Sequence, residues 1–421
     1  MNPQIQLGKN ALWMILSRFG AQGLTIVFTI ALARRLGSAG FGEYAFIAAI
    51  LFVANTLTTF GTDMLLIREI AAQDNLSRLS AALVVQLMLS SIFIIAIWLT
   101  GSSIPNQNPE TVMALKIYSL ALIPLAFFTV FTTALRGKQN MDMYALLSLV
   151  VSGLQVAAAF LSKISLIELT IVLVVIQTIA AAVAGFICLT TIPNFAGAWR
   201  EPFSNVFLLV REAAPIAWIA LLGMLYQRLS ITMLSTMRGP TDTGIFSAAA
   251  RMVEASKGIH IAVFAALYPA MAFAQTDLAN QNRWIQAFKL SWKMLIAAAI
   301  ASALILSIFS APLTALFYGS QFNVSAGILG ILAWILIPFT INTYLTLSFF
   351  AANKERLVVR ALTASLLGLL ILNLWLIPLK GPEGAAWSAL LAECIQSAIL
   401  TASAVAQIRI HGEAHELSKL F

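Results

Sequence analysis

Charge is what this sequence has least of. Asp, Glu, Lys and Arg make up 10% of its 421 residues, where a soluble domain carries about 25%. Hydrophobic residues make up 60% and the mean hydropathy is +0.90. That balance excludes a soluble globular domain and a disordered chain. Cysteine is nearly missing. Cys188 and Cys394 both lie in apolar stretches, which excludes a disulfide framework and reads them as small core hydrophobes. Acidic pairs are missing as well. The five aspartates are never closer than eleven residues, so no loop offers the paired carboxylates that a membrane glycosyltransferase uses to hold a metal or act as base. The two Gly-Lys pairs, at Gly8 and Gly137, run into Asn and Gln instead of Ser or Thr, so no P-loop is present. The expectation is a protein that is no enzyme and takes no cofactor and no metal. His411 and His415, at i,i+4 with Glu416 beside them, read as a solvated tail.

What is present is apolar chain. Residues 79–109, 143–162, 169–199, 294–353 and 361–379 contain no charged residue, and about 20 apolar residues suffice to span the hydrocarbon core as a helix. The run 294–353 is long enough for two spans, broken at Tyr318-Gly-Ser-Gln-Phe-Asn323. Asn10–Ala33 is too long for a signal-peptide core and has no small-residue cleavage site. The pattern predicts an all-α integral membrane protein with twelve spans, at 10–33, 43–62, 80–100, 113–135, 143–162, 169–192, 213–236, 244–270, 294–317, 326–350, 359–378 and 384–406. Net charge is +8, but the basic residues are scattered between apolar runs, which argues against nucleic acid. With the N-terminus inside, 15 Lys and Arg fall in cytoplasmic segments and 5 in outer loops. That asymmetry predicts both termini on the cytoplasmic side.

The sequence repeats itself. A shift of 202 residues lays Leu36-Gly-Ser-Ala-Gly-Phe-Gly42 on Arg238-Gly-Pro-Thr-Asp-Thr-Gly244, pairing Gly37 with Gly239, Gly42 with Gly244 and Tyr44 with Phe246. A shift of 214 lays Leu122-Ile-Pro124 on Leu336-Ile-Pro338. Pro215 and Pro269 are further candidates for kinks. A repeat of six spans enters the membrane the same way round twice, as in two-lobed transporters with a site between the lobes. The expected lobes are residues 1–200 and 201–421.

Three stretches carry a resemblance. Ala33-Arg-Arg-Leu-Gly-Ser-Ala-Gly-Phe-Gly-Glu-Tyr44 is similar to the segment after the first span of the polysaccharide (O-antigen type) flippases. Phe60-Gly-Thr-Asp63 with Ile67-Arg-Glu69 looks like theirs, and so does Asn373-Leu-Trp-Leu-Ile-Pro378 with Gly381-Pro-Glu-Gly-Ala-Ala386. The related lipid-linked peptidoglycan-precursor flippases and drug exporters share the architecture. The resemblance implies two pseudo-symmetric six-helix lobes around a central cavity, in the bacterial inner membrane. It implies that the cargo is an isoprenoid-pyrophosphate-linked oligosaccharide, moved by alternating access, and that the partners are membrane lipids together with the polymerase and glycosyltransferases of the same pathway. An exporter of small drugs or metabolites and a non-transporting scaffold for polysaccharide assembly are the alternatives.

Charges inside spans are costly and tend to face functional cavities. Arg18, Arg228, Arg251 and Lys257 lie within predicted spans and are candidates for a cationic cavity that grips a pyrophosphate, arginine being able to hold two oxygens at once. Arg251, Glu254 and Gly258 share a helix face, so Glu254 is either a counter-ion for Arg251 or Lys257 or a coupling site. Gln22, Asn55, Tyr226 and Gln227 are candidates for glycan contacts, with helix–helix hydrogen bonding as their other role. Lys116, near the outer end of span four, reads as an interfacial lysine.

Overall fold

The computed structural model describes residues 3–160, 165–199, 206–276, 281–352 and 354–410, and among them there is no β-strand. Contacts divide the chain into two compact units, Met1–Arg228 and Leu229–Phe421. The first unit holds α1 Pro3–Thr59, α2 Thr62–Gln73, α3 Leu79–Thr100, α4 Pro109–Ser119, α5 Leu122–Gly137, α6 Met141–Phe160, α7 Leu166–Thr191 and the larger part of α8 Val206–Arg238. The second holds the end of α8, α9 Pro240–Thr276, α10 Gln281–Ile308, α11 Ser310–Tyr318, α12 Ser325–Leu332, α13 Leu336–Ala351, α14 Glu355–Lys380 and α15 Pro382–Ile410. Within the described residues the twelve expected segments lie mostly on helical chain, the first two of them largely on the single helix α1. Among the described residues nine helices are long and apolar enough to cross a membrane, or ten if α10 and α11, bent by 73°, form one span. The protein is thus a multi-pass membrane protein.

The packing differs from that of a soluble protein in leaving large apolar side chains on the outside, because lipid is as apolar as leucine and offers helices no hydrophobic reason to associate. In α14 the large apolar residues Leu367, Leu370, Ile371, Leu374, Trp375 and Leu379 are exposed, while Ala361, Ser365 and Asn373 are fully buried. The same holds in α3, where Met88, Ile92, Ile95 and Leu99 face out and Ala81, Ala82, Gln86 and Ser90 face in. Small residues let helices approach and polar ones bond across the gap. Gln86 Nε2 donates to Thr62 Oγ1 at 3.0 Å, and Ser365 Oγ donates to the Ala392 carbonyl at 2.7 Å. A Cβ on Gly20 would stand 2.5 Å from Leu149 Cδ2, so α1 lies close on α6 there, whereas Gly23 meets nothing within 4 Å.

Several joints between helices fall at glycine or proline, and such joints occur in both units. The apolar stretch Leu12–Thr59 of α1 is 48 residues long, about 72 Å of helix against a hydrocarbon core of about 30 Å. Gly37 interrupts it with φ 71° and ψ −177°, and Gly239, its partner in the repeat, separates α8 from α9 with φ 92°. Both take conformations that a Cβ disfavours. Pro124 and Pro338 are each the third residue of a helix, α5 and α13, that restarts after a break. Proline leaves the carbonyl four residues back without its usual donor. At Pro124 that carbonyl, Leu120, accepts from the Ile123 N–H at 3.2 Å instead. Before Pro338 a 3₁₀ turn at Ala333–Ile335 lets the Leu336 N–H reach Ala333 and Trp334. In contrast, Pro215 sits inside a continuous α8, and the side chain at 269 lies outside the described residues.

One expectation changes, and one element is added. The segment between the second and third expected spans is the helix α2. Cys188 is buried, its thiol donating to the Phe131 carbonyl at 3.3 Å, but Cys394 is exposed on α15 rather than part of a core. Residues 161–164, 200–205, 277–280 and 411–421 lie outside the described residues, and with them Lys163, Arg200, His411, His415 and Glu416.

The α14–α15 joint shows what such a glycine does. Gly381 turns the chain with φ 56°, and a Cβ on Gly384 would stand 2.1 Å from the Leu376 carbonyl oxygen of α14, which is backbone and cannot swing away. Gly384→Ala is expected to destabilise the fold by about 3 kcal/mol through overpacking. Gly153→Ala, in a helical position with open space around it, is expected to be neutral or stabilising by up to about 1 kcal/mol. Thermal melts of the detergent-purified variants, read side by side, check both.

Candidate functional site

The candidate residues divide between the units. Arg18, Gln22, Asn55, Tyr226, Gln227 and Arg228 belong to the first, and Arg251, Glu254 and Lys257 to the second.

In the first unit α1 supplies Arg18, Gln22 and Asn55 from its two arms, and α8 supplies the rest. Arg228 is 6% exposed and its guanidinium carbon stands 4.8 Å from the centroid of the Phe52 ring. A ring face is an apolar surface that attracts a cation, worth about 2 kcal/mol where water is excluded. Phe52 therefore steadies the arginine through a contact that leaves its positive charge intact. Arg18 is exposed on α1, Gln22 and Tyr226 are half-buried, and Gln227 is exposed. The Asn55 carbonyl accepts the hydroxyls of Thr58 and Thr59 at 3.0 and 2.6 Å, so this part of α1 satisfies its own threonines.

In the second unit both basic candidates are paired with acids. Arg251 Nη1 donates to Glu254 Oε2 at 2.9 Å across one helical turn. Lys257 reaches a different acid. Its ammonium lies 3.3 Å from Glu393 Oε1 on α15 and 4.5 Å from the Phe339 ring centroid on α13. Glu393 is 5% exposed and its other oxygen accepts from Asn342 Nδ2 at 2.7 Å. Of the two counter-ion choices open in the sequence, the structure takes Arg251 for Glu254. The partner of Lys257 was not legible, although a lone acid within a predicted span was signal enough to mark Glu393 itself. Phe52, Phe339 and Asn342, indistinguishable in sequence from ordinary span residues, complete the surroundings.

Charges nearer the ends of the helices serve structure. Arg78, at the start of α3, bonds Glu69 of α2 at 3.0 Å and Glu212 of α8 at 2.7 Å. Burial works against its charge, but the bonds to Glu212 and Glu69 outweigh that and raise its pKa above the usual arginine value. Lys138 pairs with Asp74. Lys116 Nζ reaches Ser102 Oγ at 2.9 Å beside the Trp98 ring, the arrangement of an amphipathic side chain reaching for polar surroundings. Among the described residues no cluster of three or more His, Cys, Asp or Glu is placed to hold a metal.

The family described as "Polysaccharide biosynthesis protein" matches residues 7–275. No curated protein sequence matches. Among solved structures, the lipid II flippase MurJ in an inward closed conformation aligns at a TM-score of 0.72 with 16% identity, covering 93% of this chain and 87% of that one. The MATE multidrug transporter DinF-BH aligns at 0.71 with 16% identity over 97% and 96%. A MOP superfamily transporter from Pyrococcus furiosus, for which a reverse polarity of the binding pocket is described, aligns at 0.64 with 14% identity over 94% of both chains. These likenesses establish the fold.

Replacing Phe52 with Leu keeps an apolar side chain and removes the ring under Arg228. The variant is expected to lose about 1–2 kcal/mol, seen as a lowered melting temperature. Arg228→Met, which removes the buried charge as well, is expected to be the more stable of the two.

Proposed function

The chain belongs to the polysaccharide biosynthesis protein family, and we propose from that membership that it translocates an isoprenoid-pyrophosphate-linked oligosaccharide across the bacterial inner membrane by alternating access. The family match over residues 7–275 is the observation that carries the reading. The fold shared with a lipid II flippase supports it, because that fold accommodates a transporter of lipid-linked cargo.

The chemistry of the basic residues within the helices supports the class of cargo. Arg228 is buried with its guanidinium over the Phe52 ring. Arg251 and Lys257 sit on one helix, α9, within seven residues of each other, each with a carboxylate at hand. A pyrophosphate carries more negative charge than a single carboxylate and matches the two-pronged geometry of arginine. Arg18, Arg228, Arg251 and Lys257 are the residues proposed to bind it. Gln22, Asn55, Tyr226 and Gln227 are the proposed glycan contacts, and Glu254 is the proposed counter-ion or coupling residue. The proposed arrangement is twelve spans in two lobes, residues 1–200 and 201–421, with both termini cytoplasmic. The cargo brings the pathway's polymerase and glycosyltransferases as expected partners.

A flippase-null strain that makes the matching lipid-linked glycan tests the reading. The wild-type chain is expected to restore surface polymer. Arg228→Ala and Arg251→Ala, produced at matched levels in the membrane, are each expected to reduce export at least about tenfold, the effect of losing about 1.4 kcal/mol of binding. Normal export by both variants would overturn the assignment of these arginines. Efflux of a cationic dye such as ethidium by the wild type, with no restoration of polymer, would favour the drug-exporter reading instead.

A further inference from the structure

The pair Lys257–Glu393 is built unevenly, and the unevenness points to a role. Glu393 is fixed from its own side of the fold. Asn342 on α13 donates to its Oε2 at 2.7 Å and to its backbone carbonyl at 3.1 Å. Asn342 is itself fixed, its Oδ1 accepting from Ser397 Oγ at 2.7 Å, and that hydroxyl also lies 3.1 Å from the Pro338 carbonyl. Ser397 is one turn beyond Glu393 on α15. The carboxylate is thus pre-positioned by α13 and α15 with or without the lysine.

Lys257 is held far less firmly. Its 3.3 Å contact is longer than the 2.7–2.9 Å usual for a charge-assisted bond, and its side chain is 23% exposed against 7% for Glu393. It reaches the acid on a flexible four-carbon stem, and its ammonium rests over the Phe339 ring. A fixed acid facing a loosely held base on a different helix is a poor device for stability, because burying two charges costs about as much as their attraction returns. It is a good device for holding a cation that has a second destination.

We infer that Glu393 is a positioning residue for Lys257, holding its ammonium before cargo arrives and yielding it to the pyrophosphate of an arriving cargo, so that loading breaks the ion pair between α9 and α15. The inference rests on the pyrophosphate reading of the preceding section. A pyrophosphate outcompetes the acid because it brings two or three negative charges where Glu393 brings one, and attraction scales with that charge. Asn342 makes the exchange tolerable, since it keeps one hydrogen bond on the carboxylate after the lysine has left.

Farnesyl pyrophosphate, titrated into the full-length protein in nanodiscs, is the probe. Glu393→Gln preserves the shape and the Asn342 contact but frees the lysine, and is expected to bind the probe at least about fivefold more tightly than wild type, the lower range of coupling between sites. The gain is expected to vanish in the Lys257→Gln background. Equal or weaker binding by E393Q, or a gain that persists without Lys257, overturns the exchange and leaves the cargo reading standing. Failure of the probe to bind either form overturns the cargo reading and the exchange with it. If E393Q does not fold, the wild type still decides. Its lysines, reductively methylated with ¹³C and assigned through Lys257→Arg, are expected to show the Lys257 signal moving on addition of the probe. A Lys257 signal that stays in place while the probe binds overturns the exchange.

Discussion

Every backbone N–H and C=O that enters hydrocarbon has to find its partner within the protein, because no water is there to take its place. The rest of this structure follows from that constraint. It makes the described chain helical, and it makes each interruption of a helix a problem that needs a local solution. The solutions are visible atom by atom. The carbonyl that Pro124 deprives of a donor is taken up by the Ile123 N–H, and the break before Pro338 tightens into a 3₁₀ turn. Elsewhere several of the turns fall at glycine. Gly37, Gly61, Gly239, Gly319 and Gly381 all have positive φ, and four of them stand between consecutive helices while Gly37 divides one. The stretches that resemble the polysaccharide flippases contain Gly37, Gly61 and Gly381.

The second consequence concerns polar side chains. In lipid the interior of a helix packing is where polarity is tolerated, and the buried set here includes Gln86, Thr170, Ser365, Asn373 and Glu393. Most of these groups bond across helices and hold each unit together. The basic residues that lie buried or half-buried near them have recognisable neighbours, a ring beneath Arg228, a carboxylate one turn away for Arg251, a carboxylate on another helix for Lys257. These three contacts differ in kind. The first sets a cation over an apolar face, the second pairs two charges within one helix, and the third joins α9 to α15.

The sequence by itself determined membrane insertion, the helical segments and the paired joints. Those depend on apolar run length, on charge scarcity and on the φ demanded of particular glycines and prolines, all of which are local. The tertiary structure alone decided which acid answers which base, and which cation lies against an aromatic ring. Glu254 lies three residues from both Arg251 and Lys257, and helical periodicity cannot choose between them. The choice was made by Glu393, 136 residues beyond Lys257, because α13 and α15 bring a carboxylate already fixed by Asn342 within reach of the lysine. A charge partner is set by distance in space, and the spacing of residues along the chain carries no record of it once they lie on different helices.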